Sequence, residues 1–374
     1  MLDALRIEEI TTTEHLDNLR LEWAELWRTD RNATPFQSPE WLLPWWRHIG
    51  EGDLWTLAVR NADKHLVALA PLYVYTQESG ERALFPLGIA TSDYLDFLFR
   101  PGYEVSATAA LLEHLGNNQE RWDVCELHDL RPGSPLLSAS APPEWSDTAA
   151  VTHEPCPVLP LPATLAELDA ALPTLPKRKL RYYWRRSERL GSMTVRAATA
   201  ADWPTHFDAL LRLHRERWAA KGEAGVLAGQ GVEAAHREAI PLLLSLGALR
   251  MYSVFMDDKI IGSFYGLADP DIEKPGRTWG RRLYCYIGGF DAAYAEVAPG
   301  SVLIGHALEQ AVKDGITHAD FLRGDEPYKY VWSAQNTYTK RRVLRHSKPQ
   351  HIGVIEWIMQ GPGPTTSSLA EPNT

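Results

Sequence analysis

Apolar and polar residues alternate, turn, and alternate again at two places in the chain. Residues 54–75 (LWTLAVRNADKHLVALAPLYVY) read as strand, turn and strand, with Asn61, Ala62 and Asp63 at the turn. Residues 249–269 (LRMYSVFMDDKIIGSFYGLAD) repeat the pattern around Asp257 and Asp258, and Val254 falls 195 residues after Val59. A further strand follows each hairpin, then a Pro-Gly pair and a stretch of helical period. The pairs are Pro101-Gly102 and Pro299-Gly300, 198 residues apart. After the second, Val302, Ala307, Leu308, Ala311 and Val312 share one helical face. Gly315 supplies the stop, and THADFL (317–322) returns as a strand. Repeated order and spacing predict two similar α/β domains, each a mixed, largely antiparallel sheet flanked by helices. The boundaries read as 1–160 for the N-terminal domain and 191–360 for the C-terminal one. Residues 161–190 read as linker and basic helix, and 361–374 as a disordered tail. The Pro-rich stretch 131–163 reads as irregular.

Length supports this division, since 374 residues exceed one core. A net charge of −10 argues against sequence-independent binding of a polyanion as the main task. Three scattered cysteines, no apolar leader and no long apolar run predict a reduced, cytoplasmic protein with no integral membrane segment. No GxGxxG, P-loop or GxSxG is present, and no His or Cys spacing supports a metal.

Two stretches carry candidate chemistry. In CYIGGFDAAYAEVAPGSVL (285–303) a strand ends near Gly288-Gly289, Phe290 and Asp291 follow, and a helix starts after Pro299-Gly300. The first amides of a helix are unpaired and lie at its positive end, so Gly300 and Ser301 suit a phosphate. Glycines at a strand end permit close backbone approach. The pairing of splayed strand and open helix start is what an acyl-coenzyme A site requires. The second stretch, DFLRGDEPYKYVW (320–332), gathers ionisable groups of both signs at a strand end. Trp41, Trp45 and Trp46 at helical spacing read as core, and His214 as structural. Lys177, Arg181, Arg185 and Arg189 share a helix face, which reads as solvated or as a seat for a phosphate or an acidic partner.

The string YIGGFD…APGSVL…ALEQAVKDG…ADFLRGDEPYKYVW, with FQSPEWLLPWW (36–46), SDYLDFL (92–98) and RRSERLG (185–191), closely resembles the CelD-like branch of the GNAT acyltransferase superfamily. The resemblance spans about residues 20 to 345, and its doubled layout is similar to the Fem-type peptidyltransferases. One departure is visible: VAPGSV keeps a single glycine where GNAT enzymes carry a longer phosphate loop.

The resemblance implies acetyl-CoA or another acyl-CoA as donor, and a small-molecule or glycan-precursor acceptor bearing an amine or hydroxyl. It connects the chain with exopolysaccharide or cellulose biosynthesis. Gly289, Phe290, Pro299, Gly300, Ser301, Arg323 and Lys329 are the donor-binding candidates. Glu326 or Asp291 is the base, and Tyr328 or Tyr294 the acid for the leaving thiolate. Asp93, Tyr94 and Asp96, in the matching loop of the first half, are candidates for the acceptor's hydroxyls. Two other expectations stand beside this one. The first is Fem-like aminoacyl or peptidyl transfer, which alone would call for a tRNA. The second is a non-catalytic assembly factor of a polysaccharide-synthesis complex.

Overall fold

The computed structural model describes residues 4–142, 145–147 and 151–346. The first half runs β1 (Arg6–Ile10), α1 (Thr13–Asn18), α2 (Arg20–Thr29), α3 (Pro39–His48), β2 (Asp53–Leu54), β3 (Thr56–Arg60), β4 (Leu66–Ala70), β5 (Leu72–Thr76), β6 (Arg82–Pro86), β7 (Leu98–Phe99), α4 (Glu104–Asn117) and β8 (Val124–Leu130). Then come α5 (Pro135–Ser138), β9 (Trp145–Asp147), β10 (Val151–Pro160), α6 (Leu165–Ala171) and α7 (Thr174–Ser187). The second half runs β11 (Met193–Ala197), α8 (Trp203–Ala219), α9 (Val232–Ser245), β12 (Leu249–Met256), β13 (Lys259–Ala268), β14 (Arg282–Phe290), α10 (Pro299–Lys313), β15 (His318–Asp320), α11 (Pro327–Tyr330) and β16 (Gln335–His346).

Both predicted hairpins form, as β3–β4 and β12–β13. β13 is apolar on both faces because α8 and α10 cover it from opposite sides. α10 ends in a Schellman motif: Gly315 is left-handed (φ 68°), its amide reaches Val312 O, and the Ile316 amide reaches Ala311 O.

Among the described residues a four-stranded sheet runs β1-β3-β4-β7. A twelve-stranded sheet runs β11-β12-β13-β14-β15-β10-β16-β8-β6-β5-β2, with β9 beside β16. Most neighbours are antiparallel, whereas β14–β15 and β6–β8 are parallel. The fold is therefore α/β, with mixed, largely antiparallel sheets flanked by helices.

The large sheet runs through both halves. β10 lies between β15 and β16, and β16, from the end of the chain, pairs with β8 of the first half. Boundaries at 160 and 190 thus do not coincide with sheet boundaries. β10 also corrects the irregular reading of 131–163. Pro155 and Pro157 demote a strand by pattern because they cannot donate. Here their carbonyls are used instead, accepting from Gly324 and Phe321. Nor is 161–190 a free linker: Leu180 of α7 packs where a Cβ on Gly305 of α10 would come within 2.9 Å. The reading of 361–374 as a tail lies outside the described residues.

Candidate active site

The large sheet splits open at one point. β14 and β15 pair in parallel only from Arg282↔His318 to Tyr284↔Asp320. Beyond that β14 stays with β13, as far as Gly262↔Phe290. The chain after β15 stays with β10 instead, through Phe321 N to Pro157 O (2.9 Å) and Gly324 N to Pro155 O (3.0 Å). A wedge opens between 285–290 and 321–324. On its β14 side the register shifts between Tyr265 and Leu267, placing an extra residue in β14 at the wedge's apex. Gly266 faces this bulge, and a Cβ there would come 2.7 Å from Tyr284 O.

α10 begins beside the wedge. Its N-cap, Ala298, is left-handed (φ 41°) and offers no side chain to the helix. Among the described residues neither the Gly300 nor the Ser301 amide has an acceptor. Phe290 lies against Gly300, 3.4 Å from where its Cβ would be, and the Arg217 guanidinium stands 5.6 Å from the Phe290 ring centre. Unpaired amides at the positive helix end, an apolar ring and an exposed guanidinium are the donor set a phosphorylated thioester needs.

The opposite lip is built by α11 and the loop before it. Tyr328 is 42% exposed. Its phenol is pushed up by burial of the hydroxyl end, with Glu326 and Cys285 adding to the shift, so it stays protonated. Glu326 is about half exposed and pairs with Lys329 at 2.8 Å. Lys329 corrects the reading of its role. Its ammonium is buried and donates to the carbonyls of Leu322 (3.2 Å), Arg323 (2.5 Å) and Gly324 (3.2 Å). Leu322 is left-handed (φ 59°), so the lysine staples a strained loop instead of reaching a phosphate. Lys329→Ala is accordingly expected to lower the melting temperature, by several degrees in a thermal scan, even without ligand.

Arg323 is likewise turned inward. It donates to Asp93 (2.8 Å), Asp129 (2.8 Å) and the Ser92 carbonyl (3.1 Å), joining the halves. Burial alone would raise the Asp129 carboxyl, but Arg323 and His153 hold it below the ordinary range. Tyr94 donates to Asp320 (2.8 Å), and Asp96 accepts from Ser134 and the Phe97 amide. Asp93 and Tyr94 thus lie in the seam between the halves, whereas Asp96 is held within the first half; each of the three residues read as acceptor ligands already has protein partners.

Asp291 is no base poised by burial. A hydrogen bond from Lys259 at 2.8 Å holds its carboxyl low, and it caps Ala293. Gly289 is required by α8, since a Cβ would come 3.1 Å from the His214 amide. Pro299 packs on Gly262. His214 is buried, and that burial pushes its imidazole down to about 4. Trp41, Trp45 and Trp46 are all buried. Cys285 is buried too, its thiol pushed up by burial.

Asp96 yields a pH prediction. Burial pushes its carboxyl up to about 7, with the Ser134 hydrogen bond opposing. A carboxyl raised on folding stabilises most when protonated, and loses that contribution as pH rises from its unfolded value through 7. Asp96→Asn keeps the acceptor oxygen without the charge. It is expected to match the wild type below about pH 4 and to gain on it by a further margin of about 2 to 3 kcal/mol between pH 5 and pH 8, read by urea denaturation.

Sequence reasoning missed Arg282, Arg217, Asp129 and Tyr286. Arg282 donates to Asp320 at 2.6 Å, and Tyr286 donates to the Thr91 carbonyl at 2.7 Å. Tyr286 lies in the 285–303 stretch but was given no role there, and the other three sit in no motif; strand pairing positions Arg282, Asp129 and Tyr286, and the packing of α8 on β14 brings in Arg217.

Residues 176–330 match the acetyltransferase (GNAT) domain family. No curated protein matches the chain in sequence. The solved structure of FemX is similar at TM-score 0.62 and 12% identity, over 90% of this chain and 96% of that one. The C-terminal domain of a putative lysylphosphatidylglycerol synthetase from Agrobacterium fabrum is similar at 0.52 and 11%, over 87% and 91%. L-PGS from Bacillus licheniformis is similar at 0.50 and 10%, over 87% and 91%. These likenesses show the fold, and it is a GNAT fold. With wedge, bulge and open helix start inside the matched segment, the chain carries an acetyltransferase (GNAT) domain and is an acyltransferase enzyme with acyl-CoA as its donor.

Proposed function

We propose that this acyltransferase moves an acetyl or other acyl group from acyl-CoA to an amine or hydroxyl of a sugar or glycoconjugate precursor. The proposed step belongs to the cytoplasm and to exopolysaccharide or cellulose biosynthesis, a reading supported by the CelD-like resemblance. The observation that carries the reading is the wedge beside the uncapped start of α10. The donor supplies the activated carbonyl when bound. Gly300 and Ser301 hold its phosphates, and Arg217 adds positive charge beside Phe290. Glu326 takes the acceptor's proton, and Tyr328 gives one to the departing sulfur. With Asp93 and Tyr94 committed to the seam and Asp96 to partners within the first half, the acceptor enters through the mouth of the wedge.

The test has two parts. Acetyl-CoA or desulfo-CoA at about a hundred times its dissociation constant is expected to stabilise the protein by about 2.7 kcal/mol. Transfer is then assayed on amino sugars and nucleotide sugars. Glu326→Gln and Tyr328→Phe are each expected to lower kcat about 100-fold with donor affinity kept. Stabilisation without transfer to any sugar would remove the acceptor class and leave the donor.

A second reading rests on the fold likeness to FemX over 90% of the chain. Aminoacyl transfer from aminoacyl-tRNA would use the same wedge, and transfer from that donor but not from acetyl-CoA would favour it.

A further inference from the structure

α7 carries charge that the local structure does not use. Seven cations lie between Lys177 and Arg189, against the single acid Glu188, in a chain whose net charge is −10. Basic residues in the last turn, Arg185 and Arg186, complement the helix dipole. Lys177, Arg178 and Lys179 do the opposite: they crowd the positive end, and no acid occupies the first turn. Four of the seven have local partners, Arg185 through the Arg181 carbonyl (3.3 Å). Arg186 pairs with Glu296, Arg181 with Asp169, and Lys177 with the Asp169 carbonyl. Arg178, Lys179, Arg185 and Arg189 have no acidic partner among the described residues.

The helix faces divide cleanly. Pro176, Leu180, Tyr183 and Ser187 recur at three- and four-residue steps and turn inward. The opposite face runs Leu175, Arg178, Tyr182 and Arg185, with Arg189 in the turn that follows. Leu175 is 59% exposed and Tyr182 51%, and Leu190, just past the helix, is also exposed. Like charges at these spacings destabilise an isolated helix. Exposed leucines beside them add nothing to folding.

We propose that this outward face of α7 docks on an anionic phospholipid bilayer. The guanidinium groups meet the headgroup phosphates, Tyr182 sits at headgroup level, and Leu175 and Leu190 reach the acyl boundary. Charge complementarity supports an anionic partner. The exposed aliphatic side chains at both ends favour a lipid surface over a nucleic acid, whose bases and phosphates give them nothing to bury against. The proposal is independent of the acceptor's identity.

The test is co-sedimentation of the full chain with vesicles of phosphatidylcholine, alone or mixed with phosphatidylglycerol, at low and high salt. Wild type is expected to bind the mixed vesicles, to ignore phosphatidylcholine, and to be released by salt. The variant Arg178→Ala/Arg185→Ala/Arg189→Ala is expected to bind about 100-fold more weakly with its melting temperature kept. The charge-preserving variant Leu175→Ser/Tyr182→Ser is expected to bind about 10-fold more weakly. Failure of wild type to bind mixed vesicles overturns the proposal. So does a triple variant that binds as well as wild type. Binding of a single-stranded oligonucleotide with both vesicles ignored would assign the face to nucleic acid and overturn it as well.

Discussion

Arg323→Ala is expected to be the most destabilising single change in the site, costing about 3 kcal/mol or preventing folding altogether. The guanidinium is the common partner of Asp93 and Asp129, two buried carboxylates contributed by the other half of the chain. Removing it leaves two buried acids facing one another. Breaking a buried ion pair by deleting one partner costs about 3–5 kcal/mol. The lower end applies here because the arginine keeps some exposure. Arg323→Lys is expected to recover little, since one ammonium cannot span two carboxylates and the Ser92 carbonyl. The combination Arg323→Met/Asp93→Asn/Asp129→Asn is expected to recover most of the loss, measured by urea denaturation. If the single alanine variant is as stable as wild type, the seam is not held by this cluster.

Ser301→Glu is expected to separate donor binding from folding with opposite signs. Ser301 is the third residue of α10, where a carboxylate complements the helix dipole by about 0.3–1 kcal/mol. The same carboxylate would stand where the donor's phosphates are placed. At about 5 Å and an effective dielectric of about 20, like charges repel by about 3 kcal/mol. Acyl-CoA affinity is therefore expected to fall about 100-fold while the melting temperature holds or rises, read by calorimetric titration and thermal scan. Ser301→Ala serves as control, expected to change affinity little because the proposed donor is the backbone amide.

The sequence made the elements legible where periodicity is local. The hairpins at 54–75 and 249–269, the helix stop at Gly315 and the buried tryptophans of 36–46 follow from spacing alone. The open start of α10 was legible too, because Pro-Gly with no Ser, Thr, Asp or Asn before it leaves amides uncapped. Side-chain direction was not. Asp93 and Tyr94 were singled out as acceptor ligands and Arg323 and Lys329 as donor ligands, yet a charged loop gives no sign whether its groups face a cleft or each other. The answer depends on β10 and β16 crossing between the halves, which brings Asp129 beside Arg323. No local pattern reports a pairing between residues some 190 positions apart. Pro155 and Pro157 hid β10 for the same reason, since their carbonyls matter only once the 321–324 loop lies beside them.

The central claim is that acyl-CoA lies in the wedge between 285–290 and 321–324 with its phosphates on the first turn of α10. Hydrogen exchange of backbone amides, with and without saturating CoA, tests it most directly. Slowed exchange concentrated at Tyr286–Leu303 is the expected result, Gly300 and Ser301 showing the largest change. Unchanged exchange there, with protection elsewhere or nowhere, would contradict it.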